Sequence, residues 1–291
     1  MDKKKLNKTK TNNSYWKEII KRFKKNKMAM LGLSILIILI TVAIFADQLA
    51  QFGYDEQNAK TRFLAPSSQF PLGTDNFGRD ILSRIIYGAR ISLQVGLISV
   101  AVSCVLGGSL GIIAAYYGGK LDNIIMRVLD VLLAIPGMIL AVAIAASLGP
   151  GLNNMMLAIG LGHTPGFARV VRASVLTVKE QEYIDAARLI GDNDLQIIFR
   201  HILPNSMAPM IVQATLNVGR SVISAASLSF LGLGIQPPIP EWGSMLASAR
   251  AYLRDFWWLT TFPGLAIMLT VFSLNLVGDG LRDALDPRLK S

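Results

Sequence analysis

The chain has 291 residues, of which 52% are hydrophobic and only 16% are charged. A soluble domain usually carries about 25% charged residues, so this composition argues against an ordinary soluble protein and indicates one that lies in a membrane. The net charge is +10, but residues 1–27 carry +9 of it, which excludes a basic surface spread over the whole chain.

The basic segment 1–27 lies directly before the first long apolar run. It holds 11 Lys and Arg residues against Asp2 and Glu18. A basic segment can bind nucleic acid, but directly before a spanning helix it is more simply a positive-inside signal that keeps the N-terminus in the cytoplasm. We therefore expect a cytoplasmic tail that meets membrane lipid, and no nucleic-acid partner.

Apolar runs of spanning length predict six transmembrane helices, since roughly 20 apolar residues cross the hydrocarbon core. The first is expected at 28–47, and its length favours a retained anchor over a cleaved signal peptide. The other five belong to a core domain, 91–283. Because six is an even number of spans, the tail 284–291 is expected on the cytoplasmic side, like the N-terminus. The five core spans are expected within 91–119, on either side of 147–154 in the interval 127–169, within 206–234 and within 256–278.

Two segments are expected on the outer side of the membrane. The first is 48–90. Apolar residues of 70–93, which reach into the start of the second span, share one helical face, and this predicts an amphipathic helix along the membrane surface. This helix is equally consistent with docking and with packing under the loop. Three prolines in 234–246 prevent a continuous helix there, which suggests a plug or vestibule floor. Candidate docking residues for an extracytoplasmic partner are Arg79, Asp80, Glu241 and Trp242.

The fifth span carries polar residues at spacings of three and four, which places them on one helical face. Arg220 lies about 21 Å along a helix from Ser206, too deep for its side chain to reach the surface easily. A central Arg that faces lipid costs about 2.5–3.5 kcal/mol even on low estimates, so the stripe is expected to face the interior. It either lines a wet path and attracts a carboxylate, or pairs across the bundle. The candidate path residues are Gln213, Asn217, Arg220 and Ser224.

Residues 177–205 form a polar loop that the predicted topology places in the cytoplasm. Residues 183–190 contain good helix formers, and Gly191 suits a left-handed cap. A second helix is expected to follow and to end at Pro204. Two small residues give the helix a narrow side against which the groove of another protein can close, and larger side chains on either side of them can fill pockets in that groove. The same pattern is equally consistent with an ordinary cytoplasmic linker helix. The small residues are Ala186 and Ala187, and the larger residues are Tyr183 and Leu189.

Motifs for catalysis are absent from the sequence. No G-x-x-x-x-G-K-[ST] loop is present, so the chain is not expected to bind ATP phosphates. Two histidines and one cysteine argue against a zinc site or a Cys/His catalytic site, and neither H-E-x-x-H nor G-x-S-x-G occurs. We expect no enzyme, no bound metal and no cofactor on this chain.

The loop sequence DAARLIG, followed by ILPN, resembles the EAA motif of ATP-binding-cassette importer permeases. Asp185 stands where the family has Glu, which keeps the charge but shortens the reach, and His201 stands where the family favours Ile. The resemblance implies that this loop couples the chain to a partner ATPase. The implied coupling residues are Glu182, Tyr183, Asp185, Ala186, Ala187, Arg188, Gly191 and Pro204.

Three further segments, 72–93, 223–246 and 278–290, resemble C-type permease subunits of dipeptide, oligopeptide and nickel importers. The resemblance implies an all-α, type I importer permease fold in a bacterial inner membrane, with both termini cytoplasmic. It also implies a second, different permease, two cytoplasmic ATPases that bind ATP and Mg, and an extracytoplasmic solute-binding protein.

Alternatives of other classes stay open at this point. A stand-alone secondary transporter or channel normally places ion-coupling acids near the midplane, where this sequence has one Arg. An intramembrane enzyme needs a nucleophile and a base that are not recognisable here. Among importers, small peptides are the first expectation for the substrate, and nickel, metal chelates and glutathione-like solutes share the same motifs.

Overall fold

The computed structural model describes residues 17–285, so most of the two tails expected at 1–27 and 284–291 lies outside it. Helices make up nearly all of the ordered elements, as predicted for an all-α fold. In chain order they are α1 (17–25), α2 (Lys27–Ile44), α3 (Ala46–Leu49), α4 (Ile81–Tyr117), α5 (Gly119–Leu133), α6 (Gly137–Leu148), α7 (Leu152–Lys179), α8 (Glu182–Ile190), α9 (Asp194–Ile197), α10 (Leu203–Phe230), α11 (Trp242–Ala249) and α12 (Trp258–Leu285).

Three helices of the described chain, α2, α4 and α12, are long and apolar enough to cross a membrane. A fourth span results if α5 and α6 are counted as one broken span. Helices α7 and α10 each have 28 residues, which is long enough to cross a membrane, but they are less apolar than α2, α4 and α12. The count of six spans therefore stays a prediction.

The prediction of a helix along the membrane surface at 70–93 is wrong. Residues 81–93 are instead the first turns of α4, a single helix of 37 residues. Asp80 caps this helix, because its carboxylate accepts the backbone N–H of Ser83 at 2.7 Å. The apolar face packs against Trp242 of α11 and Trp258 of α12. The amphipathic pattern therefore reflects packing inside the protein and not contact with the membrane surface.

The third expected span is not one straight helix. Helices α5 and α6 are separated by three residues and are bent by 89°. Pro136 lies at this break, where a residue without a backbone N–H cannot continue the helix. Two ion pairs hold α5 to α7, from Arg172 to Asp122 at 2.6 Å and from Arg169 to Asp130 at 2.6 Å.

Helices α4 and α7 approach each other closely through glycines. A Cβ atom added at Gly107 would lie 2.6 Å from the carbonyl oxygen of Thr164, and one added at Gly111 would lie 2.5 Å from that of Ala168. Small residues allow this close backbone contact, which is the usual packing of helices in lipid. The pair forms the centre of the bundle.

The short elements gather at the two ends of the bundle. At one end, α8 and α9 pack with the C-terminal ends of α4 and α7, and α1 packs with the start of α10 and the end of α12. At the other end, residues 63–72 and α11 pack with the start of α4 and of α12. The segments that the sequence places in the cytoplasm thus lie together, and those expected outside lie at the opposite end.

Candidate coupling segment and transport path

Helix α8 forms close to where the sequence predicts it. Its first turn carries Glu182 and Asp185, whose negative charges favour a helix N-terminus. It ends at Gly191, whose φ of 95° is left-handed and whose N–H bonds to the carbonyls of Ala187 and Arg188. A β-carbon is strained at this φ, so glycine is required for the turn. Arg188 also forms an ion pair with Asp185 at 3.2 Å.

The chain after Gly191 stays helical for longer than expected. Asn193 and Gln196 form a reciprocal capping box that begins α9. A π-helical turn, Ile198–Ile202, then leads directly into α10. Pro204 lies in the first turn of α10, where its missing N–H costs no hydrogen bond, so the expected helix end at this residue is wrong.

The segment from α8 to the π-turn is attached firmly to the ends of α4 and α7. Ile184 and Ala187 are 0% and 5% exposed and belong to one apolar cluster with residues of α7. The Tyr116 hydroxyl donates to the Asp194 carboxylate at 2.7 Å. The Lys179 ammonium donates to the carbonyl of Tyr116 at 2.6 Å. Helix α8 is therefore packed directly on the ends of α4 and α7, which Lys179 also joins to each other.

The opposite side of α8 is exposed and carries large apolar residues together with Glu182, which lies one turn before Ala186, and we call it the outer face of α8. Only one of the two small residues faces outward, because Ala186 is exposed and Ala187 is buried beneath the helix. The expectation that both alanines form the narrow side is therefore wrong. Partial burial raises the pKa of Tyr183 above its ordinary value, because the charged form loses hydration. The large residues of this face are Tyr183, 42% exposed, Leu189, 89% exposed, and Ile190, 84% exposed.

The four residues expected to dock an outer partner are buried within the chain. Arg79 and Asp80 are each 3% exposed, Glu241 is 1% exposed and Trp242 is 0% exposed. Their side chains are therefore taken up by internal contacts, and exposed neighbours must form the surface of this end. Amphipathic spacing alone did not reveal this burial.

Glu241 caps α11 and connects three helices. Its carboxylate accepts the backbone N–H groups of Gly243 and Ser244, each at 2.8 Å, and the hydroxyl of Ser229 from α10 at 2.8 Å. Ser92 of α4 lies beside the same carboxylate and accepts the N–H of Trp242 at 3.3 Å. The residues before α11 are not helical, as their prolines predict.

Two buried arginines hold the irregular chain above α4. Arg79 forms an ion pair with Asp75 at 2.6 Å. Arg84 donates to the carbonyls of Tyr54 at 2.7 Å and Pro238 at 3.3 Å, so it joins two loops that are far apart in sequence. Sequence reasoning missed Arg84, because nothing local shows which carbonyls it reaches.

The polar stripe of α10 divides between the interior and the surface of the chain. Asn217 is 3% exposed and accepts a hydrogen bond from Gln213 at 3.2 Å. Ser224 is half-buried and Arg220 is exposed. Next to Arg220, the Ser221 hydroxyl lies 3.2 Å from Nδ1 of His163 on α7, a contact that the sequence did not reveal.

Within residues 17–285, no group of three His, Cys, Asp or Glu side chains comes close enough to hold a metal ion.

Comparisons with known proteins give consistent matches. A family model described as "Binding-protein-dependent transport system inner membrane component" matches residues 107–291. A second, described as "N-terminal TM domain of oligopeptide transport permease C", matches residues 14–66. Residues 107–291 are more than half of the chain.

Relatives of full length are similar over nearly the whole chain. A dipeptide transport system permease protein, DppC, from Alkalihalophilus pseudofirmus is 50% identical over 96% of this chain and 91% of its own length. A di/tripeptide transport system permease protein from Pseudomonas aeruginosa is 47% identical over 94% of this chain and 93% of its own length. A glutathione transport system permease protein, GsiD, from Pectobacterium atrosepticum is 47% identical over 95% and 92%.

A solved structure shares the fold. One inward-facing structure of the MetNI methionine ABC transporter has a chain that aligns with a TM-score of 0.59 and 18% identity, over 71% of this chain and 98% of that one.

Proposed function

Because the chain belongs to the family of binding-protein-dependent transport system inner membrane components, we propose that it is one of two different permeases in an ATP-driven importer of small peptides. The second permease completes the path through the membrane. Two cytoplasmic ATPases, which bind ATP and Mg, supply the energy, and an extracytoplasmic protein delivers the solute. The chain lies in a bacterial inner membrane with both termini in the cytoplasm.

The outer face of α8 is the observation that carries this proposal. Leu189 and Ile190 are almost fully exposed, although a soluble surface rarely keeps large apolar side chains together without a partner. The inner face of the same helix is packed onto α4 and α7. A groove on an ATPase that closes over Leu189 and Ile190 would move the two central helices directly.

The coupling residues divide by this geometry into two roles. The outer face, with Tyr183 and Ala186, contacts the ATPase. Ala187, Gly191 and Pro204 shape the segment from within. Glu182, Asp185 and Arg188 surround the outer face with charge, where they set the orientation of the partner more than its affinity.

The path through the membrane lies between this chain and the second permease. Arg220 is exposed on α10, and a guanidinium that faces hydrocarbon costs about 2.5–3.5 kcal/mol or more. A water-filled path beside Arg220 and Ser224 removes that cost. Asn217 and Gln213 lie behind them and hold each other in place.

The outer end of the bundle receives the solute-binding protein. Arg79, Asp80, Glu241 and Trp242 keep the loops around α11 in one arrangement, and the exposed residues of these loops make the contacts. This end is the natural one for docking, because it lies opposite α8.

The names of the relatives favour small peptides as the substrate, and glutathione is the second candidate. The first two relatives are named for dipeptides and di/tripeptides, and a third of nearly the same identity is named for glutathione. Glutathione is itself a small peptide, so one path can suit both.

Reconstitution tests the proposal. The chain is purified with its second permease and ATPases, placed in liposomes and supplied with the binding protein and ATP. We expect ATP-dependent uptake of a labelled dipeptide, and competition by unlabelled glutathione separates the two candidates. Uptake that persists without the ATPases would contradict the proposal and favour a secondary transporter.

A further inference from the structure

We propose that Arg220 forms a carboxylate-binding subsite in the transport path, which recognises the free C-terminal carboxylate of the peptide. This inference rests on the proposed function, since it assigns a substrate group to the path of the importer. It does not depend on the coupling segment.

The first observation is the position of Arg220. It lies 17 residues after the start of α10 and 10 before its end, which is about 15 Å from the outer end of the helix. His163 lies 11 residues after the start of α7, so the two residues are at similar depth in neighbouring helices. The side chain of Arg220 is exposed on the isolated chain.

The second observation is the lack of a counterion at this depth. No Asp or Glu occurs in α2, α4, α6, α7 or α10. Helix α12 has Asp279 and Asp283, both in its last two turns. Asp279 follows Gly278, which packs against Thr215 and Leu216, so it lies about one and a half turns, roughly 8 Å, nearer the cytoplasmic end than Arg220 and forms no ion pair with it. The acids of α5 are already paired with Arg169 and Arg172.

The neighbours of Arg220 are polar but engaged with one another. Gln213 donates to Asn217, and Ser221 is paired with His163. Within residues 17–285, no ion pair or hydrogen bond involves the Arg220 guanidinium. Its five N–H donors are therefore free for a ligand from outside the chain.

Arginine is well suited to this ligand. Its planar guanidinium donates two parallel hydrogen bonds to a carboxylate, and such charge-assisted pairs are stronger where water is scarce. Every linear peptide with a free C-terminus carries one carboxylate there, whatever its side chains. A subsite for this group lets the path accept peptides of different sequence and select against solutes that lack it.

The test compares a labelled dipeptide with its C-terminal amide in the reconstituted complex. Uptake is measured with the binding protein saturated by each ligand, for the wild type and for Arg220→Gln, Arg220→Lys and Arg169→Gln. The rate of each variant is divided by the wild-type rate for the same ligand, which removes the preference of the binding protein itself. Arg169→Gln removes an arginine of the same bundle that is already paired.

We expect Arg220→Gln to lower uptake of the free dipeptide about tenfold more than uptake of the amide, which corresponds to about 1.4 kcal/mol. Arg220→Lys keeps the positive charge but cannot donate two parallel hydrogen bonds to a carboxylate, so it should recover part of the preference for the free dipeptide over the amide. Arg169→Gln should leave the preference unchanged. An equal loss for both ligands would show that Arg220 pairs with the second permease, and no loss would show that it does not meet the substrate; either result overturns the proposal.

A second measurement separates this inference from the proposed function. Binding of the same two dipeptides to the purified complex is measured without the binding protein and without ATP. If the wild type transports neither dipeptide, the proposed function fails. If transport is normal, the subsite alone fails when the wild type binds both ligands alike, or when Arg220→Gln leaves binding of the free dipeptide unchanged.

Discussion

Ile184 and Leu189 lie five residues apart on α8, and one is 0% exposed while the other is 89% exposed. The helix therefore has an inner face that belongs to this protein and an outer face available to another. A fully buried Leu side chain is worth about 1.5–3 kcal/mol relative to an exposed one, so Leu189 is positioned to be an anchor for a partner.

Charge on the outer face of α8 should uncouple the transporter. We expect Leu189→Glu to weaken association with the ATPases by about tenfold or more, because a buried carboxylate without a partner loses the apolar contact and adds a desolvation cost. Co-purification of the ATPases and ATP-dependent uptake measure the effect. Leu253→Glu, at an exposed leucine on the outer end of the bundle, serves as the matched control for co-purification of the ATPases only, because a change at that end can also affect docking of the solute-binding protein. Equal losses of co-purified ATPases in both variants would contradict a specific contact at α8.

Enlarging the two alanines of α8 should have different effects. Ala187 is buried against the ends of the central helices, so Ala187→Leu should overpack this site and cost about 1–3 kcal/mol of folding stability. Ala186 is exposed, so Ala186→Leu should change thermal unfolding little and affect only ATPase association. Thermal unfolding in detergent checks both. The assignment of inner and outer faces would be wrong if Ala186→Leu proved the more destabilising of the two.

Neutralising Glu241 should destabilise the outer end of the bundle. Its carboxylate caps α11 and accepts three hydrogen bonds of 2.8 Å, so Glu241→Ala should cost about 2 kcal/mol or more. The measurement is again thermal unfolding, with Glu56→Ala as a control at an exposed acid. A normal melting temperature with impaired binding of the solute-binding protein would instead restore Glu241 as a docking residue.

Water should reach α10 on the side of Arg220. After Cys104 is replaced by Ser, we expect Ser224→Cys to react with a small hydrophilic thiol reagent in at least one state of the transport cycle. Ile38→Cys, at an exposed apolar position of α2, should not react, because a hydrocarbon surface excludes the thiolate. Labelling of both cysteines, or of neither, would argue against a path along this face.

Local features of the sequence were the easiest to predict. The end of α8 at Gly191 depends on one residue that tolerates a left-handed backbone, and the cap at Asn193 depends on a side chain that bonds within its own turn. Each of these is specified by a few neighbouring residues, so a single sequence contains the necessary information.

Features that depend on distant partners were not predictable in the same way. The sequence does not distinguish Ala186 from Ala187 as the outward residue, because the difference is set by the ends of α4 and α7. The amphipathic pattern of 81–93 reads equally as a surface helix or as a packed one. Glu241 resembled a surface acid in a proline-rich loop, and its burial follows from donors on α10 and α11. The pairing of His163 with Ser221 crosses 58 residues of sequence.

The close glycine contacts of α4 with α7 have a mechanical consequence. Two helices whose backbones touch at Gly107, Gly111 and Gly160, on both sides of Pro165 of α7, are expected to tilt together. Helix α7 has 28 residues and is about 42 Å long, so a tilt of about 10° applied at the α8 end would swing the far end by about 7 Å. A shift of that size is comparable to the width of a peptide backbone with its side chains. Under the proposed function, we expect a closing motion at the ATPases to be passed through this pair to the opposite side of the membrane.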